Sequence, residues 1–274
     1  MVYYINYIYI HMIAIIGLGI VGNAIYIDFK AKNINVIGYD KYKNIGSLSE
    51  CLTSEIIFLC LPTLFSNITN EYDKTCINEV CDILSQNLYK GLVVIKSTVE
   101  PQTISSLAKK YPGLYLVHNP EFLTSRTATE DFRNQRHIVL GFAPNVTDNQ
   151  ISKLKNFYHQ HYPEAEISTS SSDESESMKI FVNSFYSVKI QFFNELYMLC
   201  QKINCNYDNV VKLMLKNNWI NPMHTIVPGP DGKLSYGGDC FPKDTNALLN
   251  FMKKSGTIHS VLEASINERN IMRD

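Results

Sequence analysis

The sequence predicts an α/β protein in which a doubly wound parallel sheet is followed by a mainly helical second domain. Three observations carry that expectation. Up to about residue 170, short runs rich in β-branched and aromatic residues alternate with helical stretches, and Gly, Pro, Asn or Asp closes the runs. The first run leads straight into a glycine-rich turn, Gly17-Leu18-Gly19-Ile20-Val21-Gly22. Beyond residue 173 the runs stop, and apolar residues recur every three or four positions.

The expected strands are 12–16, 35–39, 56–60, 92–96, 114–117 and 138–141. Their near-continuous apolar character suits strands covered on both faces, and helices at 20–30, 76–87, 103–110 and 147–161 supply the covers. The stretch 168–177 (STSSSDESES) is polar and glycine-free and reads as a connector running into a helix start. The long helix after it carries Met178, Phe181, Phe185, Val188, Phe192, Leu196, Leu199 and Ile203, a stripe that is either a core face or a dimer face. Shorter helices are expected at 208–216 and 243–255, with a last one from about His259. The expected division is a sheet domain over 12–173 and a helical domain over 174–274.

Composition limits the function. The 274 residues allow one large or two modest domains. Twenty-five basic against 26 acidic side chains leave no basic excess for nucleic acid. No apolar run reaches the roughly 18–20 residues needed to span a bilayer, so no membrane partner is expected. The seven cysteines (Cys51, Cys60, Cys76, Cys81, Cys200, Cys205, Cys240) are odd in number and lack CxxC spacing. That argues against a disulfide framework and a structural metal, and for a reducing, cytoplasmic compartment. Residues 1–11 are apolar but lack the basic start and cleavage site of a signal peptide, and are expected to be a non-native or fortuitous extension.

Several motifs carry chemistry. In the glycine turn, Gly17 suits the tight bend, Gly19 lets backbone approach a pyrophosphate, and Gly22 allows close helix–strand packing. Ile20 and Val21 open the helix whose N-terminal N–H groups and dipole would hold the anion. Asp40 ends the second strand in Gly38-Tyr39-Asp40, where a carboxylate accepts both ribose hydroxyls and repels a 2′-phosphate. The sheet is therefore expected to be a Rossmann-type domain binding NAD rather than NADP. Pro62-Thr63 and Ser97-Thr98 lie just past strand ends, either as ligand edge or as ordinary turn chemistry. In Tyr236-Gly237-Gly238-Asp239-Cys240-Phe241-Pro242-Lys243-Asp244, Pro242 fits a first helical turn and places Cys240 at or just before the helix start. A thiol there is either inert or, favoured as thiolate by the helix dipole, a nucleophile. The loop 227–236 is Gly/Pro-rich and is either a surface turn or a cover for a substrate.

Taken in order, these blocks resemble the UDP-glucose/GDP-mannose dehydrogenase family. Besides the glycine turn and Asp40, the resemblance rests on Leu59-Cys-Leu-Pro-Thr63, Lys96-Ser-Thr98-Val and Asn119-Pro-Glu121-Phe122-Leu123. It continues through Glu130-Asp-Phe132, His137-Ile-Val-Leu-Gly141, Glu176-x-x-Lys179-x-x-x-Asn183 and the Cys240 block. It implies an NAD-dependent four-electron oxidation of a nucleotide sugar's C6 alcohol to the carboxylate, UDP-glucose to UDP-glucuronate, through a thiohemiacetal and a thioester on cysteine. By that resemblance Cys240 is the nucleophile. Lys179 and Asn183, on one helix face, stabilise the oxyanion. Glu121 and Asp244 are candidates for water-mediated base catalysis, with Thr98 holding the water. Phe122, Leu123, Tyr236, Gly237 and Gly238 line the sugar, and a homodimer through helix 178–203 is implied.

The chain departs from the family pattern in places. Gln102 stands where glycine is usual, Thr124-Ser-Arg126 replaces an Arg-Glu-Gly, and Asp239 precedes the cysteine where a small residue is common. A carboxylate there opposes thiolate formation unless it points away. The family's C-terminal UDP-binding domain is expected to be absent, because the chain ends at Asp274. Alternatives are a dehydrogenase for a UDP-N-acetylhexosamine or GDP-mannose, and a truncated relic that binds NAD without turnover. A two-domain β-hydroxyacid-type dehydrogenase would share the K-x-x-x-N helix without needing Cys240.

Overall fold

A computed structural model describes residues 12–273; the expectation for residues 1–11 falls outside them. In chain order the elements are β1 (Ile13–Ile16), α1 (Ile20–Ala31), β2 (Val36–Tyr39), α2 (Leu48–Cys51), β3 (Ile56–Leu59), β4 (Phe65–Ser66), β5 (Glu71–Tyr72), α3 (Thr75–Gln86), β6 (Leu92–Ile95) and α4 (Thr103–Lys110). Then come β7 (Tyr115–His118), α5 (Ala128–Arg133), β8 (His137–Phe142), α6 (Asp148–His161), β9 (Glu166–Ser171), α7 (Ser172–Lys202), α8 (Tyr207–Met214), α9 (Cys240–Lys254) and α10 (Ser260–Arg273). A 3₁₀ turn at Leu215–Asn217 extends α8. These elements form two compact units: residues up to Thr63 with Asp73–Met178, and Leu64–Tyr72 with the chain from Lys179 onward.

The first unit is a seven-stranded sheet in the order β2-β1-β3-β6-β7-β8-β9. In β1, Ile13 and Ile15 enter one core with Phe29, Phe58 and Phe157, while Ala14 and Ile16 enter another with Ile57, Ile77 and Leu107. Successive side chains point to opposite faces, so covering both faces requires apolar residues at every position. The sheet is mainly parallel rather than wholly so, because β8 runs antiparallel to β7 and then pairs in parallel with β9. Parallel neighbours need a long crossover. Between β7 and β8 the chain forms only the short α5, whereas α6 provides a crossover from β8 to β9.

The polar stretch expected to be a connector is largely structured. Its first part belongs to edge strand β9, which pairs in parallel with β8 along its whole length, and α7 starts at Ser172. Ser171 starts that helix through a reciprocal pair: its hydroxyl accepts from Glu174 N (3.3 Å), and its own N–H donates to Glu174 Oε2 (2.8 Å).

The second unit packs α9 and α10 on α7 around Ile180, Leu248, Leu249, Leu262 and Ile266, with Tyr72 and Phe65 of the β4–β5 hairpin in the same cluster. A second cluster joins Phe193 and Cys200 to Tyr207 and Val211 of α8. For the apolar stripe on α7 the core-face reading holds only for part of it: Val188 and Leu196 pack against the two clusters, while Phe181, Phe185, Phe192, Leu199 and Ile203 are exposed. The buried face carries Ile180 with Asn183, Ser184, Ser187, Gln191 and Asn194. Asn183, Ser187, Gln191 and Asn194 meet hydrogen-bond partners there, whereas the buried Ser184 hydroxyl meets none among the described residues. Ser235 donates its hydroxyl to Gln191 Oε1 (2.5 Å) and its N–H to Asn194 Oδ1 (2.9 Å).

Candidate active site

In the first unit the expected cofactor residues gather at the carboxyl ends of β1, β2, β3 and β6. Gly17 adopts φ 89°, and a Cβ there would lie 2.5 Å from the Cys60 carbonyl oxygen. A Cβ on Gly22 would lie 1.8 Å from the Gly17 carbonyl oxygen, which explains the close helix–strand approach. Gly19 instead faces open space: nothing lies within 4 Å of a Cβ built on it. Helix α1 starts there with no side-chain cap and no acidic residue in its first turn, Ile20 exposed and Val21 packed against the core. Asp40 is tied to this turn, since its Oδ2 accepts from Leu18 N at 2.8 Å and its Oδ1 from Tyr42 and Lys43 N at 3.0 Å. Burial works against the Asp40 carboxylate, but those three N–H groups and the Lys43 ammonium outweigh it and hold its pKa below the usual range.

The loops after β3 and β6 are stitched together. Ser97 Oγ donates to Leu61 O (2.6 Å) and accepts from Leu61 N (3.1 Å), while the Thr63 hydroxyl donates to Thr98 O (2.8 Å). Pro62, Thr63, Ser97 and Thr98 are therefore brought side by side, with the Ser97 and Thr63 hydroxyls engaged in holding the two loops. Behind them lies the buried ammonium of Lys96, a residue given no role from the sequence, which donates to Asn119 Oδ1 (3.0 Å) and Pro120 O (3.4 Å). Tyr158 donates to the same Asn119 oxygen, fixing the start of the 119–123 loop. Along that loop Glu121 Oε2 accepts from Leu123 N (2.6 Å), exposed Phe122 stacks on His137, and Leu123 packs against the core.

In the second unit the chemistry centres on Asp244. Its carboxylate has no exposure, and three donors surround it: Asn183 Nδ2 on Oδ2 (2.6 Å), with Tyr72 OH (2.5 Å) and Lys243 Nζ (2.6 Å) on Oδ1. Lys179 lies one turn before Asn183 on α7, buried on the same face. Cys240 is the first residue of α9 and is exposed, and Asp244 follows one turn later. Asp239 occupies the cap position without a side-chain cap bond. The seven cysteines form no disulfide.

The loop before Cys240 is anchored from α10. Arg273 donates to Leu234 O and to Asp231, and a Cβ on Gly237 would lie 2.0 Å from its guanidinium. Gly238 takes φ 74°, and the Tyr236 ring is buried inside the unit. Among the described residues, no group of three or more His, Cys, Asp or Glu is placed to hold a metal. Sequence reasoning missed Tyr72, for which no local signal exists. It named Lys96 in a motif but gave it no role, although its charge at the end of an apolar strand was such a signal.

A Rossmann-type unit with an uncapped glycine turn and an acid at the end of its second strand, followed by a helical unit bearing a helix-start thiol, is an arrangement that suits the class of nucleotide-dependent dehydrogenases. Sequence models of the UDP-glucose/GDP-mannose dehydrogenase family match twice, the NAD binding domain at residues 45–161 and the central domain at 173–270. The chain belongs to that family, and NAD is its cofactor. UDP-glucose 6-dehydrogenase of Rickettsia bellii is 32% identical over 222 residues, 79% of this chain and 49% of that protein. A UDP-glucose dehydrogenase from Pyrobaculum islandicum superposes with a TM-score of 0.84 at 22% identity, over 96% of this chain and 68% of that one. A 3-hydroxyisobutyrate dehydrogenase from Mycobacterium tuberculosis shares the fold with a TM-score of 0.70 at 16% identity, over 94% of this chain and 92% of that one. The chain spans about half the length of the curated relatives it matches. The glycine turn and Asp40 precede the matched NAD-binding segment, so their assignment rests on geometry, and they fit the cofactor. The open space at Gly19 and the uncapped start of α1 suit an anion, and Asp40 lies one hydrogen bond away.

Proposed function

We propose that this chain carries the cofactor-binding and chemical parts of a nucleotide-sugar dehydrogenase that oxidises a C6 alcohol to the carboxylate, UDP-glucose to UDP-glucuronate. The observation that carries this reading is Cys240, exposed at the first residue of α9, one turn before an Asp244 bonded to Asn183. A β-hydroxyacid oxidation has no use for that thiol.

Gly17, Gly19, Gly22 and the start of α1 hold the pyrophosphate, Asp40 the ribose, and the loops at Pro62-Thr63 and Ser97-Thr98 the remainder of the dinucleotide. When bound there, the cofactor would supply the hydride acceptor, one NAD for each of the two oxidations, with NADH exchanged for a second NAD between them. After the first, Cys240 Sγ adds to the aldehyde carbon to give a thiohemiacetal, stabilised at its oxygen by the Lys179 ammonium and an Asn183 N–H. The second oxidation leaves a thioester, and water then releases the carboxylate and restores the thiol. With three donors already on its carboxylate, Asp244 acts as the anchor of Asn183. Glu121, on the half-exposed loop with Phe122 and Leu123, is the better base for that water, with Thr98 beside the cofactor loops to hold it. A homodimer through the outer face of α7 and a reducing, cytoplasmic setting complete the reading.

NADH formation with UDP-glucose, UDP-N-acetylglucosamine and GDP-mannose tests it. We expect two NADH per sugar from one of them, and Cys240→Ser should leave aldehyde-level oxidation while abolishing the acid. A second reading, a two-domain β-hydroxyacid-type dehydrogenase, draws support from the 92% coverage of the 3-hydroxyisobutyrate dehydrogenase chain. One NADH per substrate, unaffected by Cys240→Ser, would establish it instead. NAD binding without turnover of any substrate would mark a relic.

A further inference from the structure

The segment Leu64–Tyr72 follows the cofactor loop at Thr63, and its two short strands pair Phe65 with Tyr72 and Ser66 with Glu71. The hairpin is fastened to α9: Glu71 pairs with Lys254 near the end of that helix, and Phe65 packs into the cluster of Leu248 and Leu249. Tyr72 is 2% exposed, and its hydroxyl donates to Asp244 Oδ1 at 2.5 Å. Lys243 shares that oxygen, with its ammonium 4.6 Å from the centre of the Tyr72 ring.

Two donors therefore hold one oxygen of Asp244, and they are unequal. The Lys243 side chain is 20% exposed, a flexible stem ending in a strongly hydrated charge. Tyr72 is a rigid ring seated in a core, with little freedom left to lose. The other oxygen of Asp244 receives one N–H of the Asn183 amide. Once that N–H is fixed the amide plane is fixed, and so is the direction of its second N–H.

We propose that Tyr72 is a positioning residue of the active site, locking Asp244 so that Asn183 presents its remaining N–H to the substrate oxygen. The role in turnover rests on the reading of Asn183 as an oxyanion donor. The hairpin is then a brace for the catalytic helix, and Tyr72 is its working residue.

The test is Tyr72→Phe in the full chain, which keeps the ring and removes the hydroxyl. We expect kcat to fall about tenfold or more, the loss of one charge-assisted hydrogen bond, with NAD affinity and KM for NAD unchanged. Because Tyr72 acts through Asn183, adding Tyr72→Phe to Asn183→Ala should cost nothing further, whereas a merely structural role would let the losses multiply. An unchanged kcat in Tyr72→Phe, or multiplying losses, overturns the proposal. Cys240→Ser in parallel separates the two ideas: acid formation that survives it removes the proposed function without touching Tyr72. If no nucleotide sugar turns over at all, urea midpoints of Tyr72→Phe, Asp244→Asn and the double variant still decide the lock. Additive shifts overturn it, and non-additive shifts support it.

Discussion

Glu176 opens the helix motif shared with Lys179 and Asn183, yet its work lies in the first unit. Its carboxyl is fully buried, and Oε1 accepts from Ile104 N at 2.7 Å, standing in for a cap at the start of α4. Burial pushes the carboxyl up to about 8, with the charge of Asp173 adding, against the N–H groups of Ile104, Gln102 and Thr103 that pull it down. The group therefore stays protonated in the folded chain long after it ionises in the unfolded one, near 4.5. Between those values the folded state binds more protons, so stability is fully present below about 4.5 and falls as pH rises to about 8. Glu176→Gln keeps the acceptor for Ile104 and removes the ionisation. We expect it to gain stability over the parent by a few kcal/mol near pH 8 and by almost nothing near pH 4.5, read as urea midpoints across that range. Equal shifts at both ends would mean that the carboxyl is not held neutral. Gln102, next to this cap, has φ 72°, the left-handed conformation that favours glycine, which gives the departure noted in the sequence a physical meaning. The glycine turn, Asp40 and Cys240 were legible because their constraints are local: a bend, a strand end and a proline in a first turn. Tyr72 was not, because its partner lies far along the chain.

Helix α7 shows why an element can be located from sequence while its orientation is not. The apolar period from Met178 to Ile203 marks a helix, but a period of 3.6 says only which residues share a face. In the structure most of that face is outward, with Phe185 at 62% and Phe192 at 51% exposure. Val188 and Leu196 turn into the clusters, and the amides of Asn183, Gln191 and Asn194 on the opposite face find partners within the unit. Strand β9 was hidden for the converse reason. Its serines and threonine carry no apolar signal, and pairing with β8 alone makes it a strand. The outward aromatic face is what the proposed homodimer needs, since each phenylalanine buried across an interface contributes about 1.5–3 kcal/mol. Phe185→Glu and Phe192→Glu should each turn a dimer into a monomer by light scattering while leaving the melting of the subunit core in place. A parent chain that is monomeric at high micromolar concentration would end this proposal.

At the scale of the whole molecule, the candidate cofactor residues belong to the first unit and the thiol to the second, and each half has its own test. Gly19→Val places a side chain in space that the protein leaves open, so it should fill the anion cradle without disturbing the fold. NAD at a hundredfold over its Kd should stabilise the parent by about 2.7 kcal/mol, and that gain should vanish in Gly19→Val and persist in Cys240→Ser. The thiol half is read by limited iodoacetamide labelling. Burial pushes the thiols of Cys51 to about 11 and of Cys60 and Cys81 to about 12, so these are slow to react. Cys240 and Cys205 are exposed, and of the two only Cys240 starts a helix, where the dipole favours the thiolate. Cys76 also lies in a first turn, that of α3, but is only half-exposed. Cys240 should therefore label first, ahead of Cys205, and at the same rate in Gly19→Val as in the parent. A Cys240 no faster than Cys205 would remove the nucleophile while leaving the NAD site standing, and loss of NAD binding in Cys240→Ser would show that the halves cannot be separated.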